Sequence, residues 1–259
     1  MRGIINSRVL IVTVSLILAV FSAVLAEPGS VTASQREQLK SLAAEMRDKT
    51  RRVRDELMRG RMDLFAAYQS WDLNEQRVRQ AISRISRAQS ALLNLHLENQ
   101  LALRRILNSE QFAELSRQVV RHWGHGHKGR FGPFEESPLD RLPDKAMLDA
   151  AGVSPEQARK ILQFSDSPRR QAIIDRLQRY SKQLIDLFSS YDLDTATARR
   201  LIDKIHDCQS ELLELNLEKQ QVLRSVLTRE QFEKLRIEMS KRFRMPAGGP
   251  RPGRPVGRR

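Results

Sequence analysis

Cysteine is almost missing: Cys208 is the single one among 259 residues. That excludes an intramolecular disulfide framework and any Cys-based zinc cluster. Aromatic residues make up 5%, and there are 12 Gly and 10 Pro. A β-sandwich or barrel needs many β-branched or aromatic strands with frequent turn signals, so both are disfavoured. His-Glu-x-x-His, Gly-x-Ser-x-Gly and a phosphate-binding glycine loop are all missing, which leaves no catalytic pattern and points to a non-enzyme. Charge, by contrast, is plentiful. Charged residues are 29% of the chain, with 45 Lys and Arg against 31 Asp and Glu, a net +14 and a pI near 10.6. A Leu- and Arg-rich chain of this length reads as one or two helical domains.

The amino terminus reads as an export signal. Arg2 and Arg8 form a short basic region ahead of the apolar run from Val9 to Phe21. Val24-Leu25-Ala26 then places small residues at −3 and −1, so cleavage after Ala26 is the favoured reading. An uncleaved anchor is the alternative, because Val9–Ala26 approaches the roughly 20 residues a span requires. No cysteine lies near the site, which excludes a lipoprotein. Cleavage removes two arginines and leaves a charge near 14 − 2 = +12. Outside the cytoplasm, the anionic partners for such a charge are lipid head groups, polysaccharide, and acidic or unfolded polypeptides. Nucleic acid is not expected, given export and the lack of interleaved aromatics.

The chain beyond Ala26 carries an internal duplication. Leu64–Leu115 aligns with Leu184–Leu235 at a constant offset of 120, with 22 of 52 positions identical. Leu73–Ile106 and Leu193–Val226 contain neither Pro nor Gly, and their apolar residues recur at the helical period. Each predicts one long helix, capped by Asp72 or Asn74 in the first copy and by Asp192 or Asp194 in the second. Leu227-Thr228-Arg229-Glu230-Gln231 is a capping box, with Leu227 placed to staple onto Phe232. Asn108 and Gln111 repeat it in the first copy. Weaker boxes open the two copies, at Thr32 with Gln35 and at Ser154 with Gln157, where Pro155 takes the first helical position. These residues start helices and are not a chemical site.

Such Leu-Thr-x-x-Gln-like boxes, bracketing a long Leu/Gln/Glu-rich helix in an exported basic chain, resemble the Spy/CpxP family of periplasmic proteins. That family includes zinc-resistance-associated and nickel/cobalt-sensing relatives. The chain departs from the pattern where Val replaces Leu in both opening boxes, and where Asn108 and Ser154 replace Thr. The resemblance implies an all-α fold of two tandem four-helix, cradle-like helical-hairpin units. The expected organisation is a signal peptide over 1–26, units over 27–123 and 150–244, a linker over 124–149, and a disordered basic tail over 245–259. The family unit usually pairs as a dimer, so the expected state is a monomer acting as a pseudo-dimer, or a homodimer. The implied function is an ATP-independent periplasmic chaperone or envelope stress-protection protein. The alternative is a metal-responsive sensor or metal-sequestering protein, and docking onto the periplasmic domain of a sensor kinase is a third reading. Contact with membrane is expected to be peripheral at most unless the signal segment is retained.

Three candidate features remain. His122-x-x-His125-x-His127 is the one metal-like cluster, suited to Zn²⁺, Ni²⁺ or Cu²⁺. A cationic stretch carries Arg47, Arg51, Arg52 and Arg54 with Met58, Met62 and Phe65, a basic surface with adaptable apolar contacts for acidic or unfolded clients. Cys208 falls on the apolar stripe and reads as a small buried hydrophobe, the alternative being an intermolecular disulfide. His96 and His206 occupy non-equivalent positions and are expected on the surface.

Overall fold

The computed structural model describes residues 31–126, 143–165 and 167–242, and every regular element among them is a helix. The order is α1 (Ala33–Gln69), α2 (Glu75–Ile106), α3 (Ser109–Gly126), α4 (Lys145–Ala150), α5 (Pro155–Ser165), α6 (Pro168–Ser189), α7 (Thr195–Val226) and α8 (Arg229–Arg242). The two expected long helices are α2 and α7, and Asn74 and Asp194 cap them, each accepting a backbone N–H at 3.0 Å. No helix of the described residues is long and apolar enough to cross a membrane.

All four capping boxes form. Thr32 and Gln35, Asn108 and Gln111, Ser154 and Gln157, and Thr228 and Gln231 each exchange reciprocal side chain–backbone bonds of 2.9–3.3 Å. The boxes also meet in pairs. Gln35 Nε2 donates to Ile106 O at 2.7 Å and to Gln111 Oε1 at 3.1 Å, while Gln111 Nε2 donates back to Gln35 Oε1 at 3.2 Å. In the other pair, Gln157 Nε2 donates to Val226 O at 2.6 Å and to Gln231 Oε1 at 3.1 Å. Gln231 Nε2 reaches Gly152 O at 2.7 Å. Each pair binds the starts of two helices to the end of a long one. Apolar clusters seal both joints: Leu39, Leu103, Leu107 and Phe112 at one, Leu148, Ile161, Leu227 and Phe232 at the other.

The predicted linker 124–149 needs correcting at both ends. α3 runs through Gly124 to Gly126, because a glycine costs a helix about 1 kcal/mol without ending it. Within the same span, Asp144 caps α4, whose Met147 and Leu148 are buried against the α5–α8 cluster. Gly152, at φ 71°, closes α4 as a left-handed cap, and Val153 N–H donates to Leu148 O at 3.0 Å. Residues 127–142, the proposed signal peptide and the proposed tail lie outside the described residues.

α1 packs along α2 and α6 along α7, and α2 crosses α7 antiparallel. Across that crossing Gln221 donates to Glu75 at 2.9 Å, and Ser86 Oγ lies 3.1 Å from Ser210 Oγ and 3.4 Å from His206 Nε2. Leu93 and Leu97 of α2 share a core with α6 and α7, while Leu217 of α7 joins the core of α1 and α2. An arginine exchange locks the arrangement. Arg104 donates to the carbonyls of Phe188, Ser190 and Tyr191 at the end of α6. Arg224, 120 residues on, donates to those of Tyr68, Ser70 and Trp71 at the end of α1. Carbonyls at a helix end have no partner within the helix, and a cation there also meets the negative end of the dipole. Each guanidinium lies on a ring, Arg104 4.2 Å from the Phe112 centroid and Arg224 4.6 Å from that of Phe232.

Candidate functional site

The cationic stretch lies on one flank of α1. Its apolar ladder (Leu39, Leu42, Leu57, Leu64, Ala67, Tyr68) faces the core. A second ladder runs at helical spacing about a third of a turn away: Arg36, Lys40, Ala44, Arg47, Arg51, Arg54, Met58, Met62, Phe65 and Gln69. It holds no Asp or Glu from Arg36 to Gln69, about 50 Å. Exposed Asp48 and Asp55 flank it at helical spacing from Arg51, Glu37 binds Lys40 of the ladder at 3.7 Å, and acids on the far side of the helix are paired. Glu56 binds Arg59 at 2.9 Å, Asp63 binds Arg84 at 2.5 Å, and Glu45 binds Lys49 at 2.8 Å. Arg47 and Arg51 are exposed and, among the described residues, enter no ion pair. Arg54 is half-buried, and desolvation lowers its guanidinium pKa.

The ladder turns apolar toward its carboxyl end. Met58 and Met62 are 57% and 52% exposed, and among the described residues only Ile237 joins them as a strongly exposed large hydrophobe. Phe65 is partly buried beside them. Arg52 is exposed but points to a different flank, two positions ahead of Arg54. The structure therefore gathers Arg47, Arg51, Arg54, Met58, Met62 and Phe65 on one line and leaves Arg52 outside it.

The second copy supplies an internal control. Leu57, Leu64 and Tyr68 correspond at offset 120 to Leu177, Leu184 and Phe188, all buried in α6. The residues matching Arg51, Arg54, Met58, Met62 and Phe65 on α6 are Gln171, Ile174, Gln178, Lys182 and Ile185, while the position of Arg47 falls at the break before that helix. Over those five positions one cation replaces two. The fold is served equally well by either set, so the cationic ladder is not something the helix packing demands.

The histidine cluster sits at the edge of the described residues. The backbone of His122 and His125 is helical at the end of α3, while their side chains and His127 lie outside the described residues. Among the described residues no group of three His, Cys, Asp or Glu is placed to hold a metal ion.

Of the other two histidines, His96 is buried, which corrects the sequence reading, and His206 is half-buried. His96 is 6% exposed, stacks edge-on against Phe188 at 4.7 Å, and has neither ring nitrogen paired among the described residues. Burial, helped by the nearby Arg104 charge, depresses its pKa to about 4. His206 sits at the α2–α7 crossing against Ser86. Both lie at helical spacing from buried leucines and isoleucines, a signal present in the sequence. Cys208 is 2% exposed in the core, and desolvation raises its thiol pKa. This is the environment of an inert small hydrophobe rather than of an exposed bridging thiol.

No protein-family model, no curated protein and no solved structure matches this chain.

Proposed function

We propose that the chain is a non-enzymatic, exported holding protein of the Spy/CpxP type. In this reading two tandem helical-hairpin units fold together as a pseudo-dimer and capture unfolded or acidic polypeptides without ATP. The observation that supports it is the acid-free α1 ladder, with unpaired Arg47 and Arg51 leading to exposed Met58 and Met62. The arginines draw an acidic client from a distance, over a range that salt limits to about 8 Å under physiological conditions. The unbranched thioethers then adapt to irregular apolar segments, and that contact does not weaken with salt. Light scattering of an aggregating client tests the reading on protein beginning at Glu27. Stoichiometric protein should suppress aggregation without nucleotide, with capture slowing severalfold as salt rises while the complex once formed persists. Unchanged aggregation of several clients at low salt would sink it.

A further inference from the structure

We propose that the α1 ladder also docks the protein onto an anionic lipid surface. This rests on the reading of that ladder as the working face, and adds a second partner to it. The ladder belongs to one helix: Arg47, Arg51, Arg54, Met58, Met62 and Phe65 all come from α1. A flat surface can engage one long helical line along its whole length. The unpaired guanidiniums of Arg47 and Arg51, grading into exposed Met and a partly buried Phe, make the pattern of a helix lying in a membrane interface. The line itself carries no carboxylate, and the arginines on it outnumber the exposed Asp48 and Asp55 that flank them.

The second copy says what the ladder is not for. At offset 120 the same line carries Gln171, Ile174, Gln178, Lys182 and Ile185 on α6, a helix with the same buried face, and Ser167 stands just ahead of it at the break.

Vesicle co-sedimentation tests the proposal, using protein beginning at Glu27 with its tail intact. The probes are phosphatidylcholine vesicles with and without about one third phosphatidylglycerol. The protein should bind the mixed vesicles and not the zwitterionic ones. A surface cation contributes about fivefold, so Arg47→Gln with Arg51→Gln should weaken binding roughly 25-fold. Met58→Gln with Met62→Gln should spare binding at low salt and remove the part that survives about 0.5 M salt. Helical content should not change, since the second copy carries Gln171 and Gln178 at two of these four positions.

Equal binding to both vesicle types overturns the proposal. So does full binding by the Arg47/Arg51 variant, which would move the contact to the arginines of the tail. Binding to soluble polyglutamate but not to mixed vesicles would assign the ladder to acidic polypeptide alone. Aggregation suppression without lipid, measured on the same preparations, separates this proposal from the chaperone reading: either activity can fail while the other stands.

Discussion

α1 and its counterpart in the second copy bury the same kind of face yet are built differently. α1 is a single helix of 37 residues, whereas the equivalent stretch is broken into α5 and α6 at Ser167-Pro168. Proline lacks the N–H that a continuing helix needs and clashes with the preceding turn. The opening boxes locate where the copies diverge. Gln35 to Leu64 spans 29 residues and Gln157 to Leu184 spans 27, so two residues are lost across the break. A second difference lies at the hairpin contact. A Cβ on Gly60 would come within 2.9 Å of Ile85 Cγ1, so α1 approaches α2 through a glycine. The second copy has Tyr180 there, with Lys204 5.2 Å over its ring. The copies agree at the paired capping boxes and the exchanged arginines, and differ along the α1 flank, at the hairpin contact and at buried His96, which Asn216 replaces.

The interlock should give the largest effect. Arg104→Met keeps the apolar stem but strips the donors from the end of α6, and Arg224→Met does the same to α1. Charged donors to otherwise unpaired carbonyls suggest a loss of roughly 2–4 kcal/mol for each. Urea denaturation should find the two losses alike and additive to about 0.5 kcal/mol. A large inequality would break the symmetry that the contacts display.

The next largest effect separates the copies. His96 corresponds at offset 120 to Asn216. A histidine that titrates at about 4 when folded and near 6.5 when unfolded must stay neutral to remain buried. Its contribution is complete above pH 6.5 and drains away as pH falls toward 4, because the unfolded chain takes up the proton first. Stability should therefore fall by about 2–3 kcal/mol more in the wild type than in His96→Asn between pH 7.5 and pH 4.5. Parallel denaturation curves at the two pH values decide it, and equal losses would place His96 in contact with solvent.

These two effects mark the limit of sequence reading. Caps and long helices were legible because their signals are local: Thr228 and Gln231 lie three residues apart, and α7 contains no breaker. Arg104 reads as one more surface charge, because its carbonyl partners lie 84–87 residues away. The available clue was that Leu103-Arg104 recurs as Leu223-Arg224 in copies that differ at most positions. His96 was misplaced because a histidine is ambiguous until its neighbours are known, although Leu92, Leu93 and Leu97 already put it on the buried face. Of the candidate surface, the residue types were legible and the line they form was not. Alignment on one flank is a property of the helix phase, which also separates Arg52 from Arg51.

At the hairpin contact the expected effect is smaller and its sign is informative. Alanine in place of glycine in an exposed helix gains about 1 kcal/mol. Gly60→Ala must instead push Ile85 aside, and overpacking costs about 1–3 kcal/mol. A net loss near 1 kcal/mol is expected in thermal or urea unfolding, whereas a gain would show that α1 and α2 have room to separate.

The smallest effect tests the feature the copies share most closely. A capping box accepts Glu as readily as Gln at its third helical position, and Glu also suits the positive end of the helix dipole. The paired boxes here ask for more. Gln35 accepts from Thr32 N–H and from Gln111 Nε2, and its own Nε2 donates to Ile106 O and Gln111 Oε1. A carboxylate keeps the accepting role but has no donor, so Gln35→Glu leaves Ile106 O unpaired and sets two oxygens against each other. Gln157→Glu does the same to Val226 O and Gln231. The dipole offsets part of the loss, leaving about 1 kcal/mol at pH 7 in each copy. Protonation restores one donor, so the folded-state pKa of either new Glu should be raised. The loss should then shrink as pH falls below about 5. Equal, acid-reversible losses in the two copies would establish the amide pairing as the reason for glutamine. A loss that ignores pH would mean that the box caps its own helix and nothing more.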